Sequence, residues 1–571
     1  MVHSFACEGC IPEILKDGGS ACDYSGCKND NLLKEEFGKT AEQHKIDWIR
    51  NDGILLQPPV IEFFTLAIPE HHAELVILHS ETTVTLENIA LSDILFSKLL
   101  EKTKLVVGEN VSVFGNFEGE DCIREGMDLR ELCLLRPASF PGIQDSIRFM
   151  ENIAGIPNES IKLGKVKKLE LWNYAINVIP KLRLHEEGMI ERFYLNADKK
   201  ECVSEIISAN NNSILLGKVK NLELNGYSVN ILPKLRLHEE NVMDRFCLIT
   251  KQEEHVYEII HRKNNNIWLG KVKKLELSGY SVNILPKLVL HEENVMERFC
   301  LIARQEEHVP EILRAKNNKI RLGKVKKLEL SLSAINTLHK LVLHEENEME
   351  EFCLITRIEE YVSEVIKEEN NSIWLGKVKK LELSGYSVNI LPKLRLHEEN
   401  VMKELVLNAP QTGHLSEIEK TENNSIHTRT LKNLKLWSYA INALPKLHGE
   451  NEIEELVIAD VDGKCCSNDV FSSDIDFCSW KIKMLRIDNS AIDFLRIRKG
   501  QDCVLDRFEF VPREEEKNLY LKTRHFSTRI DIGRVRQNGL FVPEEVRPIL
   551  KYILVDEEGN EVAKKKKFFI L

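Results

Sequence analysis

Apolar residues recur along the chain in one short pattern, in which two large apolar side chains flank a single residue and a third precedes them. The stretch 219–248 contains the pattern twice, as VKNLEL at 219–224 and as MDRFCL at 243–248. Alternation of apolar and polar residues is typical of a β-strand with one buried face. Each copy therefore predicts a short strand whose leucine and phenylalanine side chains enter the core.

The pattern repeats at a fixed interval. The glycine that opens each long copy recurs every 53 residues, at Gly164, Gly217, Gly270, Gly323 and Gly376. Strand centres within a copy are alternately 24 and 29 residues apart, as from Leu222 to Phe246 and from Phe246 to Leu275. Less regular copies are centred on Leu75, Leu105 and Leu132 before this block, and on Leu434, Leu456, Leu485 and Phe508 after it. Irregular units at both ends are typical of a capped repeat array.

Two kinds of connector alternate between the strands. After Leu248, the pair Thr250 and Glu253 matches a capping box, and an apolar stripe at Val256, Ile259 and Ile260 predicts a short helix. The other connector, VNILPKLRLH at 229–238, contains a proline and alternating apolar residues. It predicts an extended or short-turn return.

These LxxLxL strands and their spacing resemble the leucine-rich repeat family. The resemblance implies an α/β solenoid, a horseshoe with a parallel concave β-sheet and a mixed helical and extended convex face. At the position of the family's asparagine, three residues after the second leucine, this chain has other residues, among them Tyr174, Tyr227, Tyr280, Ser333, Tyr386 and Tyr439. The hydrogen-bonded asparagine ladder of the family is therefore predicted to be missing.

The array divides the chain into three predicted regions. Residues 1–60 form an N-terminal cysteine-containing cap segment, 61–511 the repeat solenoid, and 512–571 a C-terminal cap with a hairpin that turns at Gly559. A helix over Leu32–Arg50 is predicted to cover the first strand, and an insertion at 137–156 interrupts the array.

Composition narrows the class of protein. A hydrophobic content of 43%, a charged content of 29% and a net charge of −12 describe a globular protein and disfavour a nucleic-acid partner. No apolar run long enough to span a membrane and no secretory signal are visible, so no membrane partner is predicted. The 14 cysteines are scattered rather than arranged as a disulfide framework. We therefore predict a reducing compartment, the cytoplasm, with the nucleus as the alternative.

The residues that flank the strand leucines are predicted to point out of the sheet, onto the concave face. The candidate partner-binding residues are Lys168, Glu170, Trp172, Arg192, Tyr194, Asn433, Lys435 and Trp437. Their mixed charge favours a protein partner over a phosphate backbone, and aromatic residues commonly dominate interface energies. Simple exposure to solvent is the alternative interpretation of this surface.

Cysteine and histidine are the side chains that most often bind zinc in proteins. Cys7, Cys10, Cys22 and Cys27 could close a structural zinc site, although four reduced cysteines in a leader segment explain the same spacing. Cys247, Cys300 and Cys353 lie on every second strand, about 10 Å apart, and are predicted to be outward-facing free thiols. The His-Glu-Glu triplets that begin at His185, His238, His291, His344 and His397 are predicted to be surface residues.

No catalytic motif is present in the sequence, which favours a binding protein over an enzyme. We predict a protein–protein interaction scaffold that recognises its partner through the concave face. The alternative is a substrate-presenting or ubiquitin-ligase-like protein with an N-terminal zinc-binding module, and self-association is a third interpretation. The sequence leaves the identity of the partner, the oligomeric state and the biological process open.

Overall fold

A computed structural model describes residues 62–67, 78, 80–114, 123–124, 132–133, 143–163, 166–184, 188–261, 266–314, 320–448, 452–459, 480–488, 504–511, 530–544 and 546–562. The chain divides into two compact units. The first comprises Met1–Lys273 and Lys287–His291, and the second comprises Lys274–Pro286 and Glu292–Leu571.

Short strands dominate both units. In the first unit they are Phe63–Ala67, Thr83–Glu87, Ala90–Ser92, Lys104–Val107, Val111–Phe114, Ile123–Arg124, Leu132–Cys133, Ile161–Leu163, Val166–Trp172, Leu182–Arg183, Met189–Ile190, Arg192–Ala197, Ile214–Val219, Asn221–Gly226, Leu235–Leu237, Val242–Thr250 and Leu288–Leu290. The strand Ile267–Gly279 contains the division at Lys273. In the second unit they are Val295–Met296, Arg298–Ala303, Ile320–Val325, Lys327–Leu332, Leu341–Leu343, Glu348–Thr356, Ile373–Gly385, Leu394–Leu396, Val401–Ala409, Thr430–Ser438, Glu455–Ala459, Met484–Asp488, Val504–Leu505, Arg507–Val511, Ile530–Arg536, Leu540–Phe541 and Leu550–Val555.

The helices are mostly single turns. The α-helices are Asp93–Lys102, Ile143–Gly155, Ser204–Ser208, Tyr257–Ile260, Pro310–Arg314, Ser363–Ile366 and Ser416–Glu419. The 3-10 helices are Asn173–Lys181, Lys200–Val203, Tyr227–Lys234, Glu253–His255, Tyr280–Lys287, Glu306–His308, Ser333–Lys340, Glu359–Val362, Tyr386–Lys393, Thr412–Leu415, Tyr439–Lys446, Gln537–Gly539 and Arg547–Ile549.

The predicted LxL strands pair side by side, in parallel and in chain order, within each unit. In the first unit Phe193 lies opposite both Leu169 and Leu222, and Leu222 lies opposite Phe246. In the second unit the same register aligns Phe299, Leu328, Phe352 and Leu381. All these side chains are buried, and each contributes about 1.5–3 kcal/mol by leaving water. The predicted α/β class with a parallel sheet is thus confirmed.

The connector predicted over 229–238 as an extended or short-turn return consists mostly of tight helical turns. It forms a 3-10 helix over Tyr227–Lys234, and only Leu235–Leu237 is extended, pairing with the strand Ile214–Val219. Ser228 anchors the helix start, because its hydroxyl accepts a hydrogen bond from the backbone N–H of Asn225 at 3.0 Å and donates to the carbonyl of Leu195 at 3.0 Å. The extended interpretation was wrong for most of the segment, since the apolar residues here are buried together rather than alternately.

The helical connector forms at its predicted place, but its N-terminus is held differently. It consists of the 3-10 turn Glu253–His255 and the α-turn Tyr257–Ile260, with Val256 and Ile259 buried. The predicted capping box is not formed, because the N-cap is Gln252 rather than Thr250 and the Gln252 side chain makes no capping hydrogen bond. Instead the backbone N–H of Glu258 donates to Asn230 Oδ1 at 3.1 Å, a contact from the preceding connector.

Asparagine side chains do form repeated hydrogen bonds. They lie in the connectors rather than at the third residue after the second leucine, where leucine-rich repeats have their asparagine. Asn230 also donates from Nδ2 to the carbonyl of Glu254 at 2.9 Å. Asn347 accepts from the backbone N–H of Val325 at 2.7 Å and donates to the carbonyl of Leu375 at 3.1 Å. Equivalent asparagines with the same type of contact are Asn336, Asn389, Asn241 and Asn400. The asparagine ladder expected after the LxL segment is thus absent from that position, and two rows of hydrogen-bonded asparagines in the connectors take its place.

At the two ends, several predictions can be compared with the structure. Leu105 lies in the strand Lys104–Val107, and the predicted insertion contains the helix Ile143–Gly155. The turn at Gly559 is present, and Val555 pairs antiparallel with Glu561 beyond it. The predicted helix Leu32–Arg50 and the unit at Leu75 lie outside the described residues.

Candidate protein-binding face

The candidate site is the side of each LxL sheet opposite its buried leucines. We call it the exposed face. Three residues of each strand lie on it, one before, one between and one after the two buried apolar residues. We call these the first, second and third columns. In the strand Arg298–Ala303 they are Arg298, Cys300 and Ile302.

Five predicted partner-binding residues form one cluster in the first unit. Parallel pairing of the strands Val166–Trp172 and Arg192–Ala197 places Arg192 opposite Lys168, and Tyr194 opposite Glu170. Arg192 Nε lies 3.3 Å from Glu170 Oε1, and its guanidinium carbon is 5.5 Å from the Tyr194 ring centroid. The ring centroids of Trp172 and Tyr194 are 5.4 Å apart in a tilted arrangement. Arg192 and the two aromatic rings thus form a pre-assembled apolar and cationic surface.

Asn225 extends this cluster and was missed by the sequence analysis. Its Nδ2 donates to the Tyr194 hydroxyl at 3.1 Å from the neighbouring strand. The signal was present, because Asn225 occupies the third column of its strand and lies opposite Asn196 in the register. The hydrogen bond fixes the outer end of the tyrosine ring.

The other three predicted residues lie on one strand of the second unit, Thr430–Ser438. Asn433 and Lys435 are half-buried, and the Trp437 side chain is 37% exposed. Lys435 Nζ forms an ion pair with Glu404 on the adjacent strand, a partner that the sequence analysis did not name. The two predicted sets therefore belong to different units.

Charged residues of the exposed face in the second unit pair with one another. Arg298 Nη2 lies 2.5 Å from Glu329 Oε2, and Lys327 Nζ is 3.0 Å from Glu329 and 2.9 Å from Glu351. Lys380 continues the series, 3.4 Å from Glu351. Burial alone would raise the pKa of Glu329, but hydrogen bonds from Arg298 and Lys327 lower it below its ordinary value. This arrangement leaves the first two columns largely charge-compensated, although each exposed pair adds little stability.

The cysteines of the second column differ from the prediction. Cys247, Cys300 and Cys353 are free, as predicted, but Cys247 and Cys300 are buried and Cys353 is half-buried. A long neighbouring side chain lies against Cys247, since the Arg245 guanidinium is 3.7 Å from Cys247 Sγ. Burial raises the pKa of both Cys300 and Cys353 to about 11. The predicted outward-facing thiols of Cys247 and Cys300 are therefore buried, and those of Cys300 and Cys353 are poorly ionised.

The histidines of the His-Glu-Glu triplets lie at the surface, as predicted, where they are described. His238 and His344 are exposed, and His291 and His397 are half-exposed. The Nδ1 atom of His344 accepts a hydrogen bond from the backbone N–H of Glu346 at 3.1 Å, which closes a local turn. His185 lies outside the described residues.

No group of three or more potential metal ligands lies together in the described part of the chain. The predicted zinc ligands Cys7, Cys10, Cys22 and Cys27 lie outside the described residues. Among the described helices, none combines the length and the apolar character needed to cross a membrane.

Compared with protein-family models, curated proteins and solved structures, the chain matches none of them.

Proposed function

We propose that the chain is a leucine-rich repeat scaffold that binds a protein partner through the exposed face. In this proposal the LxL strands line the concave side of a solenoid, and the short helices and 3-10 turns lie on the convex side. The parallel register of Phe299, Leu328 and Phe352 supports the family assignment, because stacked LxL strands are the defining feature of that family.

The observation that carries the binding function is the Trp172–Tyr194 ring pair with Arg192 beside it. Trp, Tyr and Arg are the residues most enriched at energetic hot spots of protein interfaces. Trp437, in the second unit, supplies another partly exposed aromatic on the same type of face. A charge-compensated surround supports a protein partner, since an interface with a phosphate backbone needs unpaired positive charge.

A reducing compartment, the cytoplasm or the nucleus, belongs to the same proposal. Cys202, Cys247, Cys300 and Cys353 are all free. Free cysteines in this number are typical of proteins that function where glutathione keeps thiols reduced.

The test is affinity capture with the full chain and with the variants Trp172→Ala and Trp437→Ala. Truncation of an interface hot spot costs about 2 kcal/mol or more, so we expect at least one variant to lose about 30-fold in affinity for a captured protein. Trp268→Ala is the matched control, because Trp268 is 42% exposed but lies outside the LxL segment of its strand. Equal capture by all three variants would contradict the proposal.

A further inference from the structure

Two histidine rings lie side by side in the second unit, outside the exposed face. The ring centroids of His427 and His448 are 4.8 Å apart, and the ring planes are tilted by 51°. Each histidine directly follows one residue of the parallel bridge between Ile426 and Leu447. The backbone N–H of Ile426 donates to the carbonyl of Lys446, and that of His448 donates to the carbonyl of Ile426, both at 2.9 Å. The bridge therefore holds the two imidazoles beside one another.

The same place in other copies holds side chains that cannot share a metal ion. In the preceding copy Trp374 lies opposite Arg395, whose guanidinium carbon is 5.3 Å from the Trp374 ring centroid. Strand register gives the corresponding pairs of earlier copies as Leu215 with Arg236, Trp268 with Val289, and Arg321 with Val342. His427 and His448 thus bring two imidazole donors to a place that elsewhere holds aliphatic, aromatic or cationic side chains.

The spacing of the rings matches two nitrogen ligands of one ion. A zinc–histidine bond is about 2.05 Å long and the ring nitrogen lies about 1.15 Å from the ring centroid, so each centroid is about 3.2 Å from the metal. Two such rings have their centroids about 4.5 Å apart at a bond angle of 90°, and about 5.2 Å apart at the tetrahedral angle. The observed 4.8 Å lies between these values. Aromatic rings that merely pack can have the same spacing, so variants must distinguish the two cases.

Arg429 is a charged neighbour that opposes a bound cation. Its charge reaches the His427 ring, since the pKa of His427 is lowered by loss of solvation first, and then by the charges of His448 and Arg429. Like charges repel, so Arg429 should weaken the binding of a divalent ion at this place. This opposition makes Arg429 a useful position for a test.

We propose that His427 and His448 bind one divalent transition-metal ion, of the class of Zn²⁺ and Ni²⁺, through one ring nitrogen each. Imidazole suits these ions, whereas Ca²⁺ and Mg²⁺ prefer oxygen ligands. The second nitrogen of each ring can keep a hydrogen bond, as at most metal-binding histidines. His427 is exposed and His448 is half-buried, so water completes the coordination. The site is thus open, unlike a structural zinc site with four protein ligands. It is independent of the exposed face and of the proposed function.

The test compares the full chain with the double variant His427→Trp, His448→Arg, by titration calorimetry with Zn²⁺ and with Ni²⁺. The variant carries the residues of the preceding copy, so it should fold, and a circular dichroism melt checks this. We expect it to bind one equivalent less of each ion, whatever the cysteines of the chain bind in both proteins. Ca²⁺ and Mg²⁺ should give the same result for both. Equal uptake of Zn²⁺ and Ni²⁺ by the two proteins would overturn the proposal.

Single variants show whether both rings are ligands. His427→Ala and His448→Ala should each weaken Zn²⁺ binding at least about tenfold, the smallest loss typical of residues that only support a metal ligand. His261→Ala is the matched control, because His261 is an exposed histidine that stacks on Tyr257 with ring centroids 4.1 Å apart. A loss in the control as large as in the other two variants would contradict the assignment to this pair.

Arg429 supplies a second test, which a purely structural role of the histidines would not affect. Arg429 has φ 61°. Earlier copies have glycine at this position, at Gly217, Gly270, Gly323 and Gly376. Arg429→Gly therefore suits the backbone and removes the opposing charge. We expect the affinity for Zn²⁺ at low salt to rise at least about twofold, and the gain to shrink as salt is added. An unchanged or weaker affinity would overturn the proposal, even if the double variant did not fold.

Discussion

At the residue scale, histidines buried beside tyrosines tie stability to pH. The ring centroids of His308 and Tyr280 are 4.5 Å apart, and His308 Nδ1 accepts a hydrogen bond from the backbone N–H of Arg304 at 3.2 Å. A ring that accepts at Nδ1 is neutral, with its proton on Nε2. Burial lowers the pKa of His308 below its ordinary value, although Glu307 opposes the shift. The same arrangement is found at His255 with Tyr227 and at His414 with Tyr386.

The direction of this linkage predicts destabilisation by mild acid. Since the folded state disfavours the protonated ring, the unfolded chain binds more protons as the pH falls below the ordinary histidine value of 6.5. The melting temperature should therefore decrease as the pH is lowered from about 7.5 to about 5.5. The decrease should level off once the pH is below the lowered pKa of the histidines. Circular dichroism melts at several pH values measure this.

Another copy of the repeat has different residues at the two positions of this histidine site, and these residues define a matched variant. At the same positions in the next copy, 53 residues later, Ser333 and Tyr361 replace the tyrosine and the histidine. Tyr280→Ser combined with His308→Tyr should therefore fold and should show a smaller acid-induced fall. The fall persists in part because burial also lowers the pKa of His255, His414 and His339. An identical fall in the variant and the parent would contradict the assignment to His308.

At the element scale, the junction between an LxL strand and its 3-10 helix requires an unusual backbone. Gly385 has φ 68° and ψ −140°, and a Cβ atom there would lie 1.9 Å from the carbonyl oxygen of Thr356. The equivalent residue one copy earlier is Leu332, with φ 61° and ψ −133°. A non-glycine residue in such a region stores about 1–3 kcal/mol of strain. The same position in a later copy holds Ser438, with φ 57° and ψ −129°, so more than one copy of the repeat carries this strain.

We expect Leu332→Gly to stabilise the protein by up to about 1 kcal/mol, because the relieved strain exceeds the lost packing of a half-buried leucine and the entropy cost of glycine. Gly385→Leu should destabilise it by about 2 kcal/mol or more. Leu215→Gly is the control, as Leu215 is 47% exposed and has no positive φ. Urea unfolding midpoints measure all three changes, and a lower midpoint for Leu332→Gly would refute the strain argument.

Elements whose own residues show a clear apolar pattern could be predicted from the sequence. Contacts that depend on residues far away in the chain could not. The strand containing Phe246 and Leu248 follows from alternation alone, and its register with Leu222 follows from the repeat. The role of Asn230 could not be predicted, because its partners Glu254 and Glu258 lie on a later connector that is adjacent only in the fold. The same holds for the exposed face. Alternation places Cys247 on it, but its burial depends on long side chains such as Arg245, whose conformations the pattern does not determine.

At the scale of the whole molecule, stability in a repeat array is approximately a sum over units and their nearest neighbours. The period that matters is two strands, because the two connectors differ. One contains a 3-10 helix such as Ser333–Lys340, and the other contains an α-turn such as Ser363–Ile366. Asn336 links them, since its Oδ1 accepts from Glu364 N at 3.0 Å and its Nδ2 donates to the carbonyl of Glu360 at 2.8 Å. A single strand with only one connector therefore lacks the second connector, to which the asparagine of a full copy is hydrogen-bonded.

Removal of one full copy should consequently leave a folded protein. Deletion of residues 324–376 joins Gly323 to Lys377, and the sequence after the junction, KVKKLEL, is the one that follows Gly323 in the parent. Lys377 can then take over the contact of Lys324, whose backbone N–H donates to the carbonyl of Asn294 at 3.0 Å. We expect one cooperative melt with a modestly lower midpoint. Deletion of 324–350, about half a copy, breaks the alternation of connectors and should abolish cooperative unfolding. If both deletions behave alike, the 53-residue pair is not the structural unit.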